Sequence, residues 1–257
     1  MTYFTRDHHN AVLASLRDDP LAQAERERAF NHMRELHKSL YPLITQHRLS
    51  LHPNVEVPGG VAYTTTVSAF EVDALSLTYM RSAAEAEVVE GMMGRDGVST
   101  SDGLRARHHP VIELRLTPDH FAVELVVAPF AWYDQQNFAG KLTISQHRSA
   151  FFELLRELDD NYRLGFWSGI HPGEMNLEIE KLPPQTVLFE FLDTFAAGRD
   201  WLRIGRWYGP EDDNLNGRDF KRIVLQHIQS LYGVYEFIIW SSNNNFQTFF
   251  NKASSRT

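Results

Sequence analysis

The chain has no cysteine among its 257 residues. Disulfide staples, thiolate nucleophiles, cysteine-ligated zinc and iron–sulfur clusters are thereby outside its chemistry. It also lacks a long apolar run: nothing approaches the roughly 20 consecutive apolar residues that a membrane helix needs. The opening residues Met1-Thr2-Tyr3-Phe4-Thr5-Arg6-Asp7 show neither a basic start followed by an apolar stretch nor an Arg/Ser-rich character. A cytoplasmic location with no membrane partner is the expectation.

A basic excess is missing too. Lys and Arg total 25 against 33 Asp and Glu, a formal net charge of −8. That field repels a phosphate backbone, so duplex nucleic acid is not an expected partner, although a focused site can still hold one nucleotide or a short strand.

Signature motifs are absent as well. There is no phosphate loop ending in Gly-Lys-Ser/Thr, no G-x-G-x-x-G turn and no G-x-S-x-G elbow, which sets aside the P-loop, dinucleotide-binding and standard α/β-hydrolase classes. The 12 histidines include no H-E-x-x-H pair. His32 and His37 lie apart around a helix, and the adjacent pairs His8-His9 and His108-His109 point to opposite faces of any strand that holds them. No metal and no cofactor is expected.

What remains is ordinary for a folded chain, with 43% hydrophobic and 23% charged residues. The length suits one elaborated domain over residues 1–257, comprising an N-terminal helical segment (1–60), an α+β core (61–240) and a tail (241–257).

Phe30, Met33, Leu36, Leu40, Leu43 and Ile44 recur at helical spacing within residues 21–47, and Pro42 should kink or end that helix near Tyr41. Residues 61–70 and 74–80 are rich in Thr, Val and Tyr and read as a strand pair. Ser82 and Glu85 match a capping box that opens a helix over 83–93. Residues 95–109 are polar and Gly/Ser-containing and read as a mobile loop rather than a linker between domains. The clearest strand signal is the hairpin 111–116 and 121–127, turned by Thr117-Pro118-Asp119-His120.

After a polar-aromatic segment (132–138) come a helix ending near Leu158, strands over 162–167 and 175–181, and a helix that follows Pro183-Pro184 and closes at Gly198. A strand over 201–208, a helix over 219–231 and a final apolar strand over 234–240 complete the series. Adjacent strand pairs without helices between them indicate an α+β fold. Its mainly antiparallel sheet carries packed helices, is built from strand-strand-helix units and is preceded by an N-terminal helix.

One pattern invites a ligand. Period-two alternation puts Trp201, Arg203 and Trp207 on one face of their strand, and sets Arg163 beside Trp167 on another, with His171 in the loop that follows. Arginine with tryptophan can stack on a planar group or grip a carboxylate or phosphate. The same pattern fits tryptophans that fill a core beneath covering arginines. The residues expected to bind are Arg163, Trp167, His171, Trp201, Arg203 and Trp207, and the expected function is that of a soluble, bacterial-type protein holding a small planar or anionic ligand.

Two alternatives stand beside that reading. One is a metal-dependent hydrolase or nuclease using Glu113 and Glu124 with Asp102 or His171, although Glu113 and Arg115 also read as a solvated charge ladder. The other is a structural or partner-binding protein with no ligand. Enzyme or not, and in what oligomeric state, the sequence leaves open.

Overall fold

Asp19 and Pro20 start the longest helix. The Asp19 carboxylate accepts from the amides of Leu21 at 2.8 Å and Ala22 at 2.9 Å, and proline suits a first turn in which its missing amide has no partner to lose. In the computed structural model, which describes residues 3–54, 56–68, 73–94, 105–159, 161–215 and 217–246, a short helix α1 (Arg6–Ala11) precedes this helix, α2 (Pro20–Gln46). Helix α2 runs on through Pro42 instead of ending near Tyr41, because Leu40 and Ile44 on either side of the proline are both fully buried.

Eight strands form one antiparallel sheet: β1 (His52–Pro53), β2 (Val61–Ala62), β3 (Leu75–Met80), β4 (Val111–Leu116), β5 (Phe121–Val127), β6 (Arg163–Gly165), β7 (Asn176–Glu178) and β8 (Leu202–Tyr208). Their order is β1-β3-β4-β5-β8-β6-β7, with β2 also paired to β3. The other helices are α3 (Ala83–Met92), α4 (Trp132–Leu142), α5 (Ser145–Arg156), α6 (Gln185–Leu192) and α7 (Phe220–Ile238). An α+β fold with an antiparallel sheet and an N-terminal helix is thus what the chain adopts. Among the described residues no helix is long and apolar enough to cross a membrane.

Alternation along the strands divides the sheet into two unlike faces. Leu75, Leu77 and Tyr79 of β3, Ile112, Leu114 and Leu116 of β4, and Leu202 and Ile204 of β8 turn toward the helices and join one apolar cluster with Met33, Leu36, Phe138, Phe151, Val224 and Leu231. The opposite face carries Ser76, Thr78, Glu113, Arg115, Glu124, Arg203, Gly205 and Trp207. Segments 64–68, 105–109 and 167–173 cover this second face, so Glu113 and Arg115 are fully buried rather than a solvated ladder.

The helix expected to close at Gly198 ends at Leu192, the strands expected over 162–167 and 175–181 shrink to three residues each, and three further elements differ from the sequence expectation. Residues 234–238 continue α7 rather than form a final strand: Val234, Tyr235 and Ile238 extend the buried stripe of Val224, His227, Ile228 and Leu231 at three-to-four spacing, and that period prevails over their strand-like composition. Residues 132–142 form α4, whose inward face is polar and therefore carries no apolar period. The strand pair over 61–80 shrinks to the two-residue β2 and the full β3; residues 69–72 lie outside the described residues.

Candidate functional site

The covered sheet face holds a charge-balanced buried chain. Arg203 of β8 donates from Nε and Nη2 to the two carboxylate oxygens of Glu124 at 2.5 and 2.6 Å, and from Nη1 to the Gly169 carbonyl at 2.5 Å. Arg115 donates to Glu124 at 2.7 Å and to Glu113 at 2.7 Å. The second oxygen of Glu113 accepts from the Thr66 amide at 2.7 Å and its hydroxyl at 2.6 Å, while the Thr65 hydroxyl binds the first. Burial pushes the Glu124 carboxyl up, and Arg203 and Arg115 more than reverse this, holding it below its ordinary range. Gly205, opposite Glu124, makes room for the pair: a Cβ there would lie 2.8 Å from Glu124 Cγ and 2.8 Å from the Val123 carbonyl.

The residues singled out from the sequence fall unevenly around this chain. Trp167 lies beneath Arg203, with the guanidinium 5.0 Å from a ring centroid, and the Trp167 and Trp207 rings are 5.8 Å apart. Trp201 is buried in a separate small cluster with Val67, Met80, Ala106 and Val126. Arg163 is half-exposed and approaches Glu178 at 3.7 Å; His171 is exposed and lies 3.6 Å from Asp119. Arg203, Trp167 and Trp207 are thus brought together, but Arg203 is wholly buried and its guanidinium is committed to Glu124 and Gly169. Trp167 is wedged between Gly165 and Gly173, where an added Cβ would come within 2.6 and 2.7 Å of its side chain.

For the hydrolase alternative, Glu113 and Glu124 are both held by arginine, His171 lies apart beside Asp119, and Asp102 falls outside the described residues. Among the described residues no group of three or more His, Asp and Glu is placed to hold a metal ion.

A second polar centre lies at the other end of β3, around Arg81, which the sequence reading did not single out. The Ser82–Glu85 capping box fixes the turn from β3 into α3, and Arg81 occupies that junction. Its Nη2 binds Asp134 Oδ1 in the first turn of α4, and its Nη1 donates to the Trp240 carbonyl at 3.3 Å. The same Asp134 oxygen accepts from the Trp240 amide at 2.6 Å. Arg81 Nε, Asp134 Oδ2, Tyr235 Oη and His109 Nδ1 are buried without a hydrogen-bond partner among the described residues. Each belongs to a group within electrostatic reach of Arg81.

Burial alone would lower the Arg81 pKa, but Asp134 raises it above its ordinary value. Burial lowers that of His109 despite its 3.1 Å contact with Glu90, so its ring is neutral near pH 7. Glu90 is also raised by burial, yet His109 and a forked bond from Arg105 at 2.6 and 2.7 Å bring it down to about 2.

Above Arg81 lies a hollow of about 270 Å³ walled by Val88, Val89, Met92, Ile239 and Trp240, with Glu85, Ser241 and Ser242 at its polar edge. A wider hollow of about 500 Å³, lined by Tyr232, Glu236 and Asn244 among others, shares Arg81, Glu85, Ile239 and Ser241 with it. The far wall is the segment after α7, which α4 secures. Asn137 donates to the carbonyls of Ile238 at 3.1 Å, Ile239 at 3.2 Å and Asn244 at 3.3 Å, and Lys141 donates to those of Phe237 at 2.5 Å and the Asn244 side chain at 2.6 Å.

The sequence carried one signal of this centre. Asp134, Asn137 and Lys141 recur at helical spacing, a polar stripe in a segment that a solvent-facing reading had no cause to bury. In comparison with known proteins, no family model and no curated protein matches the chain.

Proposed function

We propose that the protein binds a small molecule in the hollow above Arg81. The ligand class expected from the sequence is kept, and its place moves from the Arg203 face to the junction of β3, α3 and α4. The observation that carries this reading is Arg81 itself, an arginine only 3% exposed that lines the floor of a mostly apolar hollow. Ligand sites combine mostly apolar walls with a few convergent polar groups, and that is the composition of this hollow. The rest of the molecule supplies rigidity: α3 is fixed by its capping box, and the opposite wall by the α4 side chains.

Val88 is 54% exposed on the hollow's wall, so Val88→Trp fills the space without touching the core. A thermal-shift screen of nucleosides, aromatic acids and aromatic amides should give hits on the wild type that vanish in Val88→Trp at unchanged melting temperature. Hits that persist in this variant rule out the hollow as the site.

A further inference from the structure

Another hollow, of about 440 Å³, lies where the turn after α1 meets the start of α2 and the residues just before β3. It shares no lining residue with the hollows near Arg81. Val12, Leu13 and Ala74 give it an apolar wall, and the Tyr63 ring, 52% exposed, stands beside them with Phe30 stacked on it at 5.4 Å. A half-exposed ring braced by a second one offers its remaining surface to a flat apolar group.

Arg26 and Asp73 both line this hollow. Arg26 reaches from α2 to the preceding turn, donating from Nε to the Ala11 carbonyl at 2.8 Å, from Nη2 to that of Leu16 at 3.2 Å and from Nη1 to that of Arg17 at 3.4 Å. These bonds use three of the five N–H groups of a guanidinium, and all three acceptors are uncharged. One N–H remains on each terminal nitrogen, and the Nη1 bond lies at the surface, so the guanidinium is open to an anion. Asp73 accepts from the Ala14 amide at 3.0 Å through Oδ1. Among the described residues neither Arg26 nor Asp73 has an ion-pair partner, whereas Arg17 on the same rim has contacts of its own.

The short helical turn Ala14–Leu16 sets the spacing. Asp73 binds the amide at its start and Arg26 the carbonyls at its end, and at about 2 Å per residue such a turn holds the two contacts roughly 6 Å apart. A lone anion in the hollow would meet Asp73, and a lone cation would meet Arg26. A molecule with both charges on adjoining atoms matches both, through a charge-assisted hydrogen bond of about 2.8 Å at each end.

We infer that this hollow binds a free α-amino acid with an aromatic side chain, its carboxylate on Arg26, its ammonium on Asp73 and its ring against Tyr63. The site stands or falls independently of the hollow above Arg81. L-Phenylalanine, 3-phenylpropanoate and 2-phenylethylamine share a phenyl chain and carry both charges, the carboxylate alone and the ammonium alone. Each is titrated into uniformly ¹⁵N-labelled wild-type protein while the assigned amide signals of Val12, Ala14 and Ala74 are followed.

L-Phenylalanine is expected to shift these signals saturably and to bind roughly ten-fold tighter than either singly charged compound, the equivalent of one charge-assisted contact. Asp73→Asn, which keeps an acceptor for the Ala14 amide, is expected to erase the advantage over 3-phenylpropanoate, and Val88→Trp to leave the titration unchanged. Equal binding by either singly charged compound, an advantage that survives Asp73→Asn, or no shift at millimolar phenylalanine would each overturn the site. Shifts lost in Val88→Trp would put the amino acid in the other hollow and overturn it as well.

Discussion

Arg203 and Glu124 meet in a two-pronged pair across neighbouring strands, at 2.5 and 2.6 Å, with neither side chain exposed to water. The pair belongs to a set of two arginines and two glutamates whose charges cancel, and this balance governs what substitution does. Arg203→Met leaves a buried excess of negative charge and should cost about 3 kcal/mol or more. Adding Glu124→Gln restores the balance as Arg115 with Glu113, so the double variant should regain part of the loss. Urea unfolding of both variants tests this; an Arg203→Met loss below about 1 kcal/mol would mean that the buried pair contributes no more than a surface one.

The second prediction concerns acid. His227 lies between the Tyr162 and Tyr208 hydroxyls, at 2.6 and 2.5 Å, and burial lowers its pKa from 6.5 to about 4. His9, lowered to about 4, and His120, lowered to about 3, behave alike, burial leading in each case. The unfolded chain takes up these protons below pH 6.5 while the folded chain resists until pH 4 or lower, so stability falls as pH drops through that window. His227 alone should account for about 2 kcal/mol between pH 7 and pH 5 at 1.36 kcal/mol per unit. Urea midpoints that stay constant over that range would contradict the buried neutral ring, and His227→Phe should flatten the wild-type slope.

The third concerns the segment after α7. The sequence reads residues 241–257 as a tail. In the structure Asn244 bonds Lys141, Asn137 and the carbonyls of Glu236 and Ile239, and the Phe246 ring lies where Gly140 has no Cβ, 2.6 Å from where one would be. Phe249 and Phe250 fall outside the described residues. A chain ending at Trp240 should therefore melt several degrees lower, and Asn137→Ala, which removes three side-chain bonds to carbonyls and the one accepted from the Phe246 amide, should cost about 2 kcal/mol. Differential scanning calorimetry of both forms decides; melting temperatures within a degree of wild type would return the segment to the status of a loose tail.

The parts of the fold legible in the sequence are those where one period dominates. The hairpin 111–127, the long helix and the capping box at Ser82 all show through because burial, turn chemistry and propensity agree there. Helix α4 was hidden because its inward residues Asp134, Gln135, Asn137 and Lys141 are polar, each buried only by virtue of partners 7 to 109 residues away.

The Glu113–Arg115–Glu124 charges misled for a related reason. Alternation tells which residues share a face, but whether that face meets water depends on segments 64–68 and 167–173, which no local pattern ties to it. Arg81 was silent in the sequence because its surroundings come not only from the adjoining β3 and α3 but from α4 and the end of α7, with partners 53 and 159 residues further along the chain.

The central claim is that ligand recognition belongs to the hollow above Arg81 rather than to the Arg203 face, and a co-crystal structure of a hit from the small-molecule screen tests it most directly. The ligand is expected between α3 and residues 239–242, against Trp240 and Arg81. A ligand seated instead against Trp207 and Arg163 would contradict the account.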